Sequence, residues 1–186
     1  VVITTTFGII TYRASIQQTN ELERHLMQSF DLQIQSQVET ALTMLQGFAN
    51  KIESGELEYS EGRRMAADAL RGLFYGTEGY FWADTRDGTN VVLPGNRAVE
   101  GTNRIHLKDS NGTEFIKDIL EAGISGGGFI EYWFPKMGSN DPLPKRGYSK
   151  LFAPFDWVVG TGLYYDDIEL SVGEIRAQRE REIRNT

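Results

Sequence analysis

At 186 residues, 40% of them hydrophobic and 11% aromatic, the chain is long enough for one packed domain or slightly more. Its formal net charge of −7 excludes the basic face that nucleic acid requires. It leaves room for a small anionic ligand, because with a Debye length of about 8 Å one nearby cation outweighs distant carboxylates. The absence of cysteine excludes disulfides, thiolate nucleophiles, zinc ribbons and iron–sulfur centres, and two histidines, His25 and His106, offer little to a multi-His metal site or a Ser-His-Asp arrangement.

The first ten residues, Val1–Ile10, are apolar and β-branched but cover about half of the ~20 residues a membrane span needs. They read either as an ordinary start of the domain or as the outer end of a truncated membrane helix. The chain begins without Met and without a positively charged leader, as an excised fragment would.

From Tyr12 to Gln46 there is neither Gly nor Pro. Leu22, Leu26, Phe30, Ile34, Val38, Ala41, Leu45, Phe48 and Ile52 recur at steps of four and three, the spacing of one helical face. At 1.5 Å per residue, ~35 residues predict a helix of roughly 50 Å, long enough to project as a stalk or to pair with a second copy. A shorter helix follows, with Ser60 as N-cap, Met65, Ala66, Ala69, Leu70, Leu73 and Phe74 as its buried face, and Gly76 as its stop.

The pattern then changes. "GYFWADTRDGTNVVLPG" reads as strand, tight turn and strand, with Asp87-Gly88 as the hairpin signal. "KDSNGTEFIKDILEAG" reads as a turn and a short helix burying Phe115, Ile116, Ile119 and Leu120. "GGGFIEYWFPK", "KRGYSKLFAPF" and "DWVVGTGLYY" read as three strands whose short connections make them antiparallel neighbours. The polar tail, from Asp166 on, reads as an exit helix with Asp166 and Asp167 near its N-terminus. The expectation is an α+β domain: a five-stranded antiparallel sheet with one face on the long helix and the other closed by the segment from Gly95 to Gly123.

Two features are candidates for function. Tyr80, Trp82, Tyr132 and Tyr148 are strand aromatics with polar tips, which suit a small pocket but equally suit a plain core. Strand alternation puts Tyr80 with Trp82 on one face, and Tyr132 with Ile130 and Phe134. Lys145 and Arg146 are adjacent cations beside this aromatic surface. They read as partners of a ligand carboxylate, as partners of an Asp or Glu of this chain, or as solvated turn residues. The Asp84, Asp87 and Asn90 cluster departs from a calcium-loop spacing and is explained by a capped turn. No nucleophile–base pair stands out, so neither catalysis, a cofactor nor a metal is expected.

The strings "GYFWADTRDGTNVVLPG", "EGTNRIHLKDSNGTEFIKDIL" and "GGGFIEYWFPKMGSNDPLPKRGYSKLFAPFDWVVGTGLYYDDIE" resemble the single Cache sensor domains of bacterial chemoreceptors and sensor kinases, over roughly 79–169. The resemblance implies a PAS-like sheet hung on a long N-terminal helix, in an extracytoplasmic, periplasmic part of an inner-membrane protein whose ends lead into transmembrane helices. It divides the chain into a membrane-helix end at 1–10, two helices over 11–76, a ligand-binding core over 77–168 and an exit helix over 169–186. It implies a short carboxylate such as acetate, propionate or pyruvate as ligand. By position it assigns Tyr80 and Trp82 to the first-strand aromatic motif, Tyr132 to the "YWF" strand, and Lys145 and Tyr148 to the "PK..Y" motif, with Arg146 as the alternative cation. Many members of the family carry His before the Pro of the second strand, where this chain has Leu93 before Pro94. A homodimer through the long helix is expected, and the output is that of a chemoreceptor, a histidine kinase or a cyclase. The alternative is a dimerisation or interaction module without a small ligand.

Overall fold

The computed structural model describes residues 2–184, with side chains over 21–174 and at 177, 178 and 181. The side chains of Val1–Ile10, and with them the membrane-end reading, lie outside the described residues. Among the described residues no helix is long and apolar enough to cross a membrane.

Helix α1 runs over Val2–Glu53, 52 residues or about 80 Å, longer than the glycine-free stretch alone predicts. Its apolar stripe continues beyond Gly47 through Phe48 and Ile52, and one mid-helix glycine costs only about 1 kcal/mol. Gly55, at φ +78°, takes the chain out of the helix. Ile34, Val38, Ala41 and Leu45 are fully buried, while Leu22, Leu26 and Phe30 are half-buried. Among the described side chains of α1, those from Ile34 to Leu45 pack most deeply on the domain.

Helix α2 spans Tyr59–Arg71. Its N-cap is Glu58 rather than Ser60, which lies inside the first turn, and it stops at Gly72 rather than Gly76. Phe74 and Tyr75 leave it to form a two-residue strand, β1, so Phe74 is half-exposed instead of buried on a helix face. Tyr75 makes this exit worthwhile, since its hydroxyl hydrogen-bonds Thr161 Oγ1 at 2.8 Å.

The remaining strands are β2 (Gly79–Thr85), β3 (Asn90–Val92), β4 (Gly128–Pro135), β5 (Pro142–Phe152) and β6 (Trp157–Tyr164). All pairings are antiparallel, in the order β1-β2-β6-β5-β4, with β3 also on β2. The five expected strands are present and β1 adds a sixth. Asp87-Gly88 makes the β2–β3 turn, with Gly88 at φ +87° and the Asp87 carboxylate accepting the Thr89 N–H. The last strand in sequence, β6, sits in the centre, so the residue preceding the exit helix α4 (Tyr165–Arg184) comes straight from the middle of the sheet.

On the back face, Phe81, Ala83, Phe152, Trp157 and Val159 pack on Ala41 and Leu45 of α1 and Ala66 and Leu70 of α2. On the front face, Tyr80, Trp82, Tyr132 and Val158 pack against Phe115, Ile116, Ile119 and Leu120, the residues expected to be buried by the short helix α3 (Phe115–Ile124). The segment from Gly95 to Gly123 is thus the cover. At its start Glu100 receives the Arg71 guanidinium at 3.0 and 2.9 Å and the Leu93 N–H at 3.0 Å. Further along, Asp109 accepts the Trp133 N–H, capping the free edge of β4, and Ser149 donates to the Ile119 carbonyl from below.

Candidate ligand-binding site

Side chains alternate along β5, and this separates the two adjacent cations. Lys145 points to the front of the sheet, under the cover, and Arg146 points to the back, toward α1. The Arg146 guanidinium holds both oxygens of Asp31, at 2.5 and 2.8 Å, and reaches Glu131 at 2.8 Å. Its hydrogen bonds to Asp31 hold its pKa above the usual guanidinium value, against the opposing effect of burial. Arg146 is therefore a tie between sheet and helix. Replacing it by Met should leave carboxylate affinity within about twofold and cost about 1–2 kcal/mol, between an exposed and a buried pair. Calorimetry and thermal unfolding check this, and a large loss of affinity would return Arg146 to the site.

Tyr148 follows the same alternation. The "PK..Y" motif assigns it to the pocket, but it lies on the back face with Ile34 and Val38 of α1, its ring 4.9 Å from that of Phe129. A step of three along a strand reverses the face, so Lys145 and Tyr148 cannot line one hollow. Tyr80, Trp82, Tyr132 and Lys145 all point forward.

Lys145 is 1% exposed. Its Nζ donates to the Tyr80 hydroxyl at 2.8 Å and stands 4.2 Å from the Tyr80 ring centroid, 4.9 Å from Trp82, 4.8 Å from Tyr164 and 5.7 Å from Phe134. None of the ion pairs between described residues includes it. Two glycines of β6 make this possible. A Cβ at Gly160 would lie 2.6 Å from Trp82 Cε2, and one at Gly162 would lie 3.0 Å from Lys145 Cε. The indole and the lysine stem lie directly on backbone that carries no side chain.

Beside this cage is a hollow of about 10 Å³, lined by Tyr80, Trp82, Leu93, Arg104, Phe115, Ile116, Ile119, Tyr132 and Phe134. That is room for roughly one water. A carboxylate of four or more heavy atoms requires the cover or the rings to move apart. The ammonium stands behind Tyr80, Trp82 and Phe134 rather than on the wall itself. Tyr132 stacks on Phe115 of the cover at 5.0 Å and 8°, and Trp82 meets Tyr132 edge-on at 6.3 Å. Burial, and then proximity to the Tyr80 and Tyr164 hydroxyls, raises the Tyr132 phenol well above its usual pKa, so it stays neutral and can donate a hydrogen bond.

The cation on the wall is Arg104, which sequence reasoning does not single out. It is 8% exposed, and its Nη2 donates to Asp84 Oδ1 at 2.7 Å, beside the Asn90 amide at 3.0 Å. Arg104 lies in a loop without periodicity, 20 residues from Asp84, so no spacing signals the pair. Burial raises the Asp84 pKa, and the Arg104 charge opposes the shift without cancelling it.

The model of Single Cache domain 2 matches residues 26–178. The chain belongs to that family. This Cache domain is 28% identical over 88% of its length to the sensor histidine kinase MctS of Rhizobium johnstonii, and 26% identical over 71% to the methyl-accepting chemotaxis protein McpP of Pseudomonas putida. It spans only 35% and 24% of those relatives' lengths. Among solved structures it resembles a periplasmic sensor domain of a chemotaxis protein (32% identity, TM-score 0.69, 72% of this chain and 93% of that one). It also resembles a Cache chemosensory domain described as recognising carboxylic acids (26% identity, TM-score 0.73, 76% and 97%).

Proposed function

We propose that this Cache domain is the extracytoplasmic sensor of a membrane-anchored bacterial receptor. It holds a short carboxylate between sheet and cover, and it acts by binding alone, without catalysis. The observation that carries this reading is the buried Lys145 ammonium. It has three N–H donors, yet among the described residues one hydroxyl and four rings are its company. Burying a cation costs several kcal/mol, and each ring contact returns only about 0.5–2. A ligand carboxylate supplies the missing counter-charge through charge-assisted hydrogen bonds. Entry requires the stacked Phe115–Tyr132 pair to part, which makes the cover the moving element. At ~1.5 kcal/mol per heavy atom, acetate reaches at most about −6 kcal/mol, a Kd of tens of micromolar.

Coupling to the exit helix is short. Lys145 pairs across the sheet with Tyr164, the last residue before α4. The Tyr164 hydroxyl donates to the Pro135 carbonyl at 2.7 Å, and the next residue, Lys136, holds Asp167 at 2.6 Å and Asp166 at 3.0 Å in the first turn of α4. An anion that draws the ammonium from the Tyr164 ring therefore biases the base of α4, as a population shift. Chemoreceptor output is our reading, with kinase output the variant suggested by the likeness to MctS. Dimerisation through α1 belongs to the same proposal.

The test is a thermal-shift and calorimetric panel of acetate, propionate and pyruvate on the isolated domain. At about 100 Kd a true ligand stabilises by about 2.7 kcal/mol, or roughly 5–10 °C in a domain of this size. If no short carboxylate raises the melting temperature at about 10 mM, far above that Kd, the reading fails.

A further inference from the structure

Among the described residues, five buried side-chain polar atoms have no hydrogen-bond partner: Trp82 Nε1, Asp84 Oδ2, Asn90 Oδ1, Arg104 Nε and Trp157 Nε1. All but Trp157 belong to the hollow's wall or to the Asp84 network behind it. Proteins leave few buried polar atoms unpaired, and each costs about 1–3 kcal/mol. Of these residues only Trp82 and Arg104 line the hollow, and Arg104 is the only charged side chain on its wall. Its Nη2 contacts a single oxygen of Asp84, while its buried Nε–H has no hydrogen-bond partner among the described residues. Tyr132 lines the same hollow as Arg104, its ring stacked on Phe115 and edge-on to Trp82, one of the rings around Lys145.

We infer that Arg104 is a specificity-determining residue, whose free Nε–H donates to a second oxygen function on the ligand while Lys145 takes the carboxylate. This rests on the carboxylate reading above and narrows it. The preferred ligands are short carboxylates that carry a further acceptor oxygen (a 2-oxo group, a hydroxyl or a second carboxylate) rather than plain alkanoates of the same length. Leu93, apolar on the same wall, leaves this role to Arg104. A plain alkanoate brings a methylene to the buried N–H and leaves it as unpaired as before, so it gains nothing from Arg104, whereas an acceptor oxygen satisfies it.

Isothermal titration of the domain with propionate, pyruvate, lactate and malonate decides this, and the wild-type comparison needs no variant. The oxygenated acids should bind about tenfold or more tighter than propionate, the worth of one buried donor satisfied. Pyruvate and lactate against malonate show whether the second oxygen is neutral or charged. In Arg104→Lys the ammonium can still answer Asp84 but has no Nε–H, so the preference over propionate should collapse to within about threefold while propionate affinity holds. Equal or tighter binding of propionate by the wild type, or an unchanged preference in Arg104→Lys, overturns the role of Arg104 and leaves the carboxylate site standing. Failure of all four acids to bind removes both.

Discussion

Replacing Lys145 by Met should abolish short-carboxylate binding, by at least about 100-fold or roughly 3 kcal/mol, in a domain that still folds. Methionine fills nearly the same volume and needs no counter-charge. The cost of keeping an ammonium 1% exposed among Tyr80, Trp82, Phe134 and Tyr164 disappears with it. Exchanging a buried ion for a packed apolar group is often neutral or stabilising by about 1–4 kcal/mol, so the melting temperature should hold or rise. Loss of ligand together with unchanged or greater stability separates a binding cation from a structural one. A variant that binds as tightly as the wild type would end the assignment. One that unfolds would mark Lys145 as part of the core.

Gly160→Ala should damage both fold and site, although Gly160 touches no ligand in this reading. The added methyl lies 2.6 Å from Trp82 Cε2 and 2.9 Å from its Nε1, and the indole is buried on every side. The ring must tilt toward Tyr132 and the hollow beside it. Overpacking of this kind costs about 1–3 kcal/mol, a fall of roughly 3–10 °C for a domain of this length. The hollow has about 10 Å³ to give, so carboxylate affinity should fall with it. Gly173→Ala in α4 is the control. A Cβ there meets nothing within 4 Å, and the change should be neutral or stabilise by up to about 1 kcal/mol. An unaffected melting temperature and affinity in Gly160→Ala would show that Trp82 has another way to lie.

The division between Lys145 and Arg146 shows how strand geometry sorts chemistry. Two neighbouring cations carry the same charge into opposite faces, and what each meets is decided by distant segments. Arg146 meets Asp31, 115 residues away on α1, and becomes a brace. Lys145 meets four rings and a hydroxyl, and none of the ion pairs between described residues includes it.

Much of the fold is legible in local pattern. The three-and-four stripe of α1, the Asp87-Gly88 hairpin, the buried set Phe115, Ile116, Ile119 and Leu120, and the antiparallel β4–β5–β6 run all follow from spacing and turn chemistry, because those forces act over a few residues. Alternation likewise places Tyr80 with Trp82, and Tyr132 with Phe134. Alternation also places Tyr148, three steps from Lys145, on the opposite face, against the motif. What needed tertiary structure is every relation across long separations. The central position of β6, the exit of Phe74 into β1, the pairing of Arg146 with Asp31 and of Arg104 with Asp84, and the laying of Trp82 on Gly160 depend on which strands become neighbours. A loop arginine bears no local mark of the carboxylate it will meet. Sequence determined the elements and their faces, since periodicity is a property of the backbone. Only the folded chain decided which of the two neighbouring cations met a carboxylate and which met rings, because that depends on who is close at hand after the sheet has closed.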